Sequence, residues 1–302
     1  MGSIAILGIF VADTAYRATR MPQMGETVFG KCFSLGPGGK GSNQAVAAGR
    51  LGADVTILTR LGNDEFAELA FKTWEKANVK SRVVLDPVAF TGAAFVFIDD
   101  KTGDNGIIVS PGAATQITVE ELKNNEDVIA TSDIFMTQLE QPVHIAEAGL
   151  KIAKVNGKTT ILNPAPAVKL NNDIFQFCDF VTPNETEAEA ITGIRVKTEK
   201  DADRASQVLA SLGVKTPIIT MGEQGAFLHG FGMIPAIKVG PTLETTGAGD
   251  AFNGGLATAL SEGKSALEAV KFGCATASLC VTLSGTALSM PKRDAVDKIL
   301  TS

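Results

Sequence analysis

The chain has 302 residues, of which 45 % are hydrophobic and 20 % charged, with a net charge of −6, the make-up of a folded, soluble enzyme. That acidic balance, with no basic stripe, argues against nucleic acid and anionic membrane as partners. Cys32, Cys178, Cys274 and Cys280 stand at spacings that suit neither a disulfide framework nor a zinc site, so small buried thiols in a reducing, cytoplasmic setting are expected.

The opening "MGSIAILGIFVAD" is apolar for only about ten residues and lacks a basic flank, too short for a signal peptide's full plan or a membrane span. Downstream, strand-like runs ("SIAILGIFV", "DVTILTRLG", "DIFMTQLE", "TTILNPA", "DFV", "PIITMG") alternate with helical patterns ("SNQAVAAGRLG", "DEFAELAFKTWEKANV", "VHIAEAGLKIAKVNG", "ADRASQVLASLGV"). This rhythm predicts a three-layer α/β/α fold with a mainly parallel central sheet. Glycines such as Gly52 and Gly213 close helices just before a strand. Two stretches break the rhythm, "TAYRATRMPQMGETVFGKCFSLG" and "PVAFTGAAFVFIDDKTGDNGIIVSPG", and alternate like hairpins around turn signals. They predict a small β-sheet lid, residues 12–35 and 88–112, inserted into one domain spanning 1–302. The apolar alternation of "AAFVFI" predicts a sheet face that one subunit leaves uncovered, and hence a homodimer formed lid to lid.

"GPGGKG", Gly36 to Gly41, matches G-x-G-x-x-G but does not follow the first strand, and no acid stands where a dinucleotide ribose would need one. Ser34 replaces the first glycine of a Walker loop, so that reading fails too. What remains is a side-chain-free turn, feeding a helix expected from near Ser42, where a polar ligand can approach backbone with Lys40 and Asn43 as donors.

"LETTGAGDAFNGG" surrounds Asp250 with glycine ahead of another helix. Free amides of Gly247, Ala248 and Gly249 at a helix start favour anionic charge, and a carboxylate there can take a proton from a hydroxyl, a pairing suited to phosphoryl transfer. Asp250 could equally be a simple cap. "PNETEAE" opens a further helix in which Asn184 and Glu187 form either a capping box or oxygens for a hydrated magnesium ion, and local sequence leaves both open.

"GPGGKGSNQAVAAGRLG", "NPAPA" at 163–167, "TPNETEAEAITG" and "TTGAGDAFNGG" occur in this order in the ribokinase-like (PfkB) sugar kinases, which the chain resembles over nearly its whole length. The resemblance implies an ATP-dependent kinase acting on a primary hydroxyl of a small sugar, D-ribose first, with Asp250 as the base and Gly247, Ala248 and Gly249 as the anion hole. It implies sugar contacts at Asp13, Gly39, Lys40, Asn43 and Glu140. Nucleotide contacts fall at Asn184, Thr220, Gly222, Gly225 and Gly249. Mg2+ falls near Asn184 and Glu187, through water, and a monovalent cation, K+, falls at Glu244, Thr246, Cys280, Leu283, Gly285 and Ser289. Two positions depart from the pattern: Val11 stands where an Asn is usual, two residues before the sugar-binding acid, and Glu244 where an Asp is usual. Val11 makes a ketohexose or keto-deoxy sugar acid the alternative substrate. A non-catalytic sugar-binding regulator is the rival from another class, against which the intact GAGD motif argues; a nicotinamide oxidoreductase has only "GPGGKG" behind it.

Overall fold

Strict alternation along β1 (Ser3–Leu7) sets the layers: Ile4 and Ile6 belong to one apolar cluster and Ala5 and Leu7 to another, all fully buried. A strand buried on both faces needs a helical layer on each side. The computed structural model describes residues 2–301. After β1 come β2 (Val11–Ala18), β3 (Cys32–Gly38), α1 (Lys40–Arg50), β4 (Asp54–Gly62), α2 (Glu65–Lys76), β5 (Val79–Asp86), β6 (Thr91–Asp99) and β7 (Asn105–Gly112). There follow α3 (Val119–Asn124), α4 (Glu126–Thr131), β8 (Ile134–Thr137), α5 (Val143–Val155), β9 (Thr159–Leu162), β10 (Phe180–Val181), α6 (Glu185–Thr192) and α7 (Glu199–Ser211). The chain closes with β11 (Thr216–Thr220), β12 (Ala226–Leu228), β13 (Gly232–Ile234), α8 (Ala248–Ser261), α9 (Ala266–Cys280) and α10 (Arg293–Leu300).

Among the described residues the main sheet has nine strands in the order β13-β12-β11-β10-β9-β8-β1-β4-β5. The run from β11 to β5 is parallel, and β12 and β13 add antiparallel at one edge. Residues of α1, α2, α8, α9 and α10 pack on one face and residues of α3, α4, α5 and α7 on the other, as the α/β/α expectation requires. Helix α1 begins at Lys40, two residues earlier than the sequence suggests, with Gly39 as its N-cap at φ 85°.

The second sheet has four strands, β3-β2-β6-β7, with β2 and β6 parallel and both outer pairs antiparallel. Its register puts Tyr16, Phe33, Leu35, Phe95 and Ile108 on one face, and Asp13 on the other. The exposed apolar surface is not the "AAFVFI" run, whose residues are buried or half-buried because β6 is an inner strand. Instead it is carried by the neighbours, with Phe33 55 % and Ile108 62 % exposed. The Tyr16 ring lies 5.1 Å from that of Phe33 and 5.5 Å from that of Phe95. Cys32 also departs from expectation: it is exposed on outer strand β3, whereas the other three thiols are buried, and all four are free.

Candidate active site

Four of the site-bearing turns follow the carboxyl ends of parallel strands: Gln138 to Gln141 after β8, Asn163 after β9, Thr182 to Asn184 after β10, and Met221 to Gly225 after β11. In an open α/β sheet that edge is where ligands bind. Helix α1 reaches it because Gly8 and Gly41 let the backbones touch: a Cβ on Gly41 would lie 2.6 Å from the Gly8 Cα. The Ser42 amide donates to the Ile9 carbonyl at 3.1 Å and pins the contact.

Asp250 sits in the first turn of α8 and is 7 % exposed. Its Oδ2 accepts from Asn43 Nδ2 and its Oδ1 from Gln44 Nε2, both at 3.0 Å. Burial raises its pKa, against which Lys40, Asn43 and Gln44 pull it down; burial prevails. Gly247 adopts φ 84°, a left-handed turn open to glycine, and a side chain on Gly249 would meet nothing within 4 Å. Among the described residues the amides of Gly247 and Gly249 have no protein acceptor, whereas that of Ala248 donates to the Thr245 carbonyl at 3.1 Å. Two of the three expected anion-hole amides are thus free, together with that of Asp250 itself. Gly254 and Gly255 do a different job: a Cβ on Gly254 would lie 2.5 Å from Ala47 Cβ of α1, and one on Gly255 2.6 Å from Thr276 Oγ1 of α9. They bring α8 against its neighbours so that Asp250 meets Asn43.

Asp13, Lys40 and Glu140 gather on the same side. Glu140 Oε2 accepts the Lys40 amide at 2.7 Å, setting an acid against the N-terminus of α1. Burial raises Asp13 to about 6, helped by the charge of Asp250. Burial likewise raises Glu140 to about 7, partly offset by Lys40. Burial disfavours the Lys40 charge, but Asp250, Glu140 and Glu187 outweigh it and its pKa is raised. A Cβ on Gly38 would lie 2.3 Å from Asp13 Oδ2, so backbone without side chains lies directly against this acid. Val11, on the same face of β2 two residues earlier, is 3 % exposed within the apolar cluster of Ile9, Leu58 and Ala94.

Asn184 and Glu187 form the full capping box: Glu187 Oε2 accepts the Asn184 amide at 2.9 Å and Asn184 Oδ1 accepts the Glu187 amide at 2.8 Å. Glu187 is buried, which raises its pKa. Thr220 ends β11 beside them, its amide donating to Pro183 O at 2.9 Å. Gly222 and Gly225 bound the turn that follows, at φ 52° and 107°. Of the expected cation residues, Glu244 Oε2 accepts the Gly285 amide at 2.8 Å. Cys280 Sγ lies 3.0 Å from Ser289 Oγ, which itself donates to Thr286 O, so the thiol is the donor. The Leu283 amide donates to Cys280 O at 3.1 Å, and Thr246 is exposed. Among the described residues no three His, Cys, Asp or Glu converge as a metal cluster.

Sequence reasoning missed a buried set of amides and hydroxyls behind Asp250: Gln44, Gln138, Asn163, Thr182 and Asn253, all nearly or wholly inaccessible. Gln44 Nε2 also donates to Asn163 Oδ1 at 3.1 Å, and its Oε1 accepts from Gln138 Nε2 at 2.6 Å. The local signal was Gln44 itself, a long polar side chain directly ahead of the apolar Ala45–Ala48 run of α1.

The pfkB family of carbohydrate kinases matches residues 1–293. A ribokinase of Haemophilus influenzae is 37 % identical over 294 residues, covering 96 % of each chain. The structure superposes on a Thermotoga maritima ribokinase with a TM-score of 0.89 at 35 % identity, each chain fully covered. On an Arabidopsis thaliana ribokinase complexed with ribose and ATP the TM-score is 0.93 at 30 % identity, again over both whole chains. With its sheet, its four motifs and its buried acid in the order and place described, the chain belongs to the pfkB family of carbohydrate kinases.

Proposed function

We propose that the chain transfers the γ-phosphoryl group of ATP to the primary hydroxyl of D-ribose, giving ribose 5-phosphate and ADP. The observation that carries this reading is the buried Asp250 carboxylate at the N-terminus of α8, one residue from the free Gly249 amide and hydrogen-bonded to Asn43. The complex of the Arabidopsis relative with ribose and ATP supports the same pair of substrates. Asp250 takes the hydroxyl proton as the sugar oxygen bonds to the γ-phosphorus and the bond to the bridging oxygen breaks; its raised pKa makes it a stronger base. The Gly247, Gly249 and Asp250 amides face the charge on the transferring group. Asp13, Gly39, Lys40, Asn43 and Glu140 hold the sugar, and Asn184, Thr220, Gly222 and Gly225 the nucleotide. The four-stranded sheet is a lid, 12–35 and 88–112, on a single domain, and keeps water from the phosphoryl group.

Two ions fit the donor sets. The capping box uses one oxygen of Glu187 and leaves the other for a water of hydrated Mg2+, which when bound neutralises phosphate charge. Glu244, tied to the Gly285 amide through one oxygen, has a second that, with carbonyls of residues 280–289, would make a hard, all-oxygen set suited to K+. The exposed face of Tyr16, Phe33, Leu35 and Ile108 supports a homodimer through the lid. No helix among the described residues is long and apolar enough to cross a membrane, which supports a cytoplasmic place. Val11 favours a second reading, a sugar without a hydroxyl to pair there. A coupled ADP-release assay over ribose, deoxyribose, fructose and a keto-deoxy sugar acid, with and without potassium, tests both: the highest kcat/KM on ribose is expected, and a silent panel refutes the kinase.

A further inference from the structure

Each of the four sequence motifs contributes to one closed ring of buried hydrogen bonds. Gln44, beside "GPGGKG", donates to Asp250 Oδ1 at 3.0 Å and to Asn163 Oδ1, from "NPAPA", at 3.1 Å. Asn163 Nδ2 donates to the carbonyl of Thr182, from "TPNETE", at 3.1 Å. The Thr182 hydroxyl donates to Asn253 Oδ1 at 2.7 Å, and Asn253 Nδ2 returns to the Gly249 carbonyl at 2.8 Å, one peptide from Asp250. Gln44 and Thr182 are wholly buried or nearly so, as is Asn253, and no water-facing route offers them other partners. Such groups are costly unless paired, so each fixes the next.

The ring has two ends at the chemistry. At one, Gln44 cannot flip: its Oε1 is held by Gln138 Nε2 at 2.6 Å, so only its N–H groups face Asp250. At the other, Asn253 grips the Gly249 carbonyl, whose peptide partner is the free Asp250 amide. A donor on that carbonyl fixes the peptide plane and strengthens its N–H.

We propose that Gln44 is the positioning residue for Asp250, locked by Asn163 and Gln138, and that the ring through Thr182 and Asn253 holds the base and the anion-binding amides in one fixed relation. Gln44 touches neither sugar nor nucleotide in this scheme. It orients Oδ1, and Oδ2, which accepts from Asn43, keeps its second lone pair for the hydroxyl proton. Lys40, Asn43, Asp13, Glu140, Glu187 and Cys280 are the other polar or charged groups acting on that carboxylate, and none of them takes over the Gln44 bond. This inference rests on the reading of Asp250 as the base.

The test compares Gln44→Leu, Asn163→Leu and Asp250→Asn in the whole protein by kcat, KM for ribose and ATP, the pH profile of kcat and thermal melting. Gln44→Leu is expected to lose kcat on the order of 10- to 100-fold, the scale of a misplaced reacting group, with both KM values nearly unchanged. Its acid limb moves to higher pH, because a donor to the carboxylate is gone. Asn163→Leu frees Gln44 without deleting it and gives a smaller change in the same direction. A lower melting temperature with kcat and acid limb unchanged overturns the proposal. If Gln44→Leu does not fold, the same unchanged pair in Asn163→Leu overturns it. Full turnover in Asp250→Asn instead removes the assignment of the base, an outcome distinct from either.

Discussion

Asn43 and Asp250, 207 residues apart in sequence, are joined by a hydrogen bond of 3.0 Å from Nδ2 to Oδ2. Asn43 Oδ1 is buried with no partner, so one end of this amide holds the acid while the other is an unpaired acceptor. The pair ties the first turn of α8 to the first turn of α1, the two turns that carry the chemistry.

Asp250→Asn removes the base and is expected to lower turnover at least about a hundredfold, the lower bound for general-base help. The fold should persist, because the change also deletes a desolvated charge. Steady-state kinetics beside nucleotide binding by calorimetry checks this; near-normal turnover rejects the assignment.

Glu187→Gln keeps an oxygen to accept the Asn184 amide and so keeps the capping box, while removing the negative charge. Melting should hardly move and the magnesium concentration for half-maximal activity should rise several-fold. A magnesium titration with unchanged midpoint would leave Glu187 as a cap alone.

Val11→Asn sets an amide within an apolar cluster, beside Asp13. If ribose is the substrate, its KM should fall several-fold with kcat nearly constant, since a contact made equally in ground and transition states acts on KM. The same change should cost about 1–3 kcal/mol of stability in the free enzyme unless the amide finds a partner. Sugar-dependent shifts in melting temperature read both effects, and a weaker response to the best sugar points to a substrate lacking a group there.

Asp13 at about 6 and Glu140 at about 7 lie above their ordinary values of 3.8 and 4.5. Between the ordinary and raised values the folded chain holds protons that the unfolded chain has released, so stability is greatest below that window and falls as pH rises through it. Without sugar, the protein should melt higher near about pH 5 than near about pH 7.5, and Asp13→Asn with Glu140→Gln should flatten that slope. Glu26 and Asp86, each held at about 2, titrate below the window. A wild-type melting curve that rises with pH over this range contradicts the assignment.

Phe33→Glu and Ile108→Glu place charge on the exposed aromatic face of the small sheet. Light scattering at micromolar concentration should report a dimer for the unaltered chain and a monomer for the variants. A monomer before substitution removes the lid-to-lid interface.

Local sequence was sufficient for the layers and for the turns that carry the motifs. Strand alternation, glycine stops and the Asn184–Glu187 box are interactions within a few residues, so their pattern is written where they act. Asp250 at the head of α8 was legible for the same reason. Local pattern could not separate the two uses of glycine in "GAGDAFNGG": Gly247 and Gly249 bare the amides, whereas Gly254 and Gly255 admit α1 and α9, which is a matter of which helices cross there. Nor could it identify the exposed face of the small sheet, because whether Phe95 or Phe33 is covered depends on strand order. Gln44, Asn163, Thr182 and Asn253 are ordinary polar residues in sequence. Only the close packing of α1 on α8, above the ends of β9 and β10, buries them together, and burial is what obliges them to bond to one another and to Asp250.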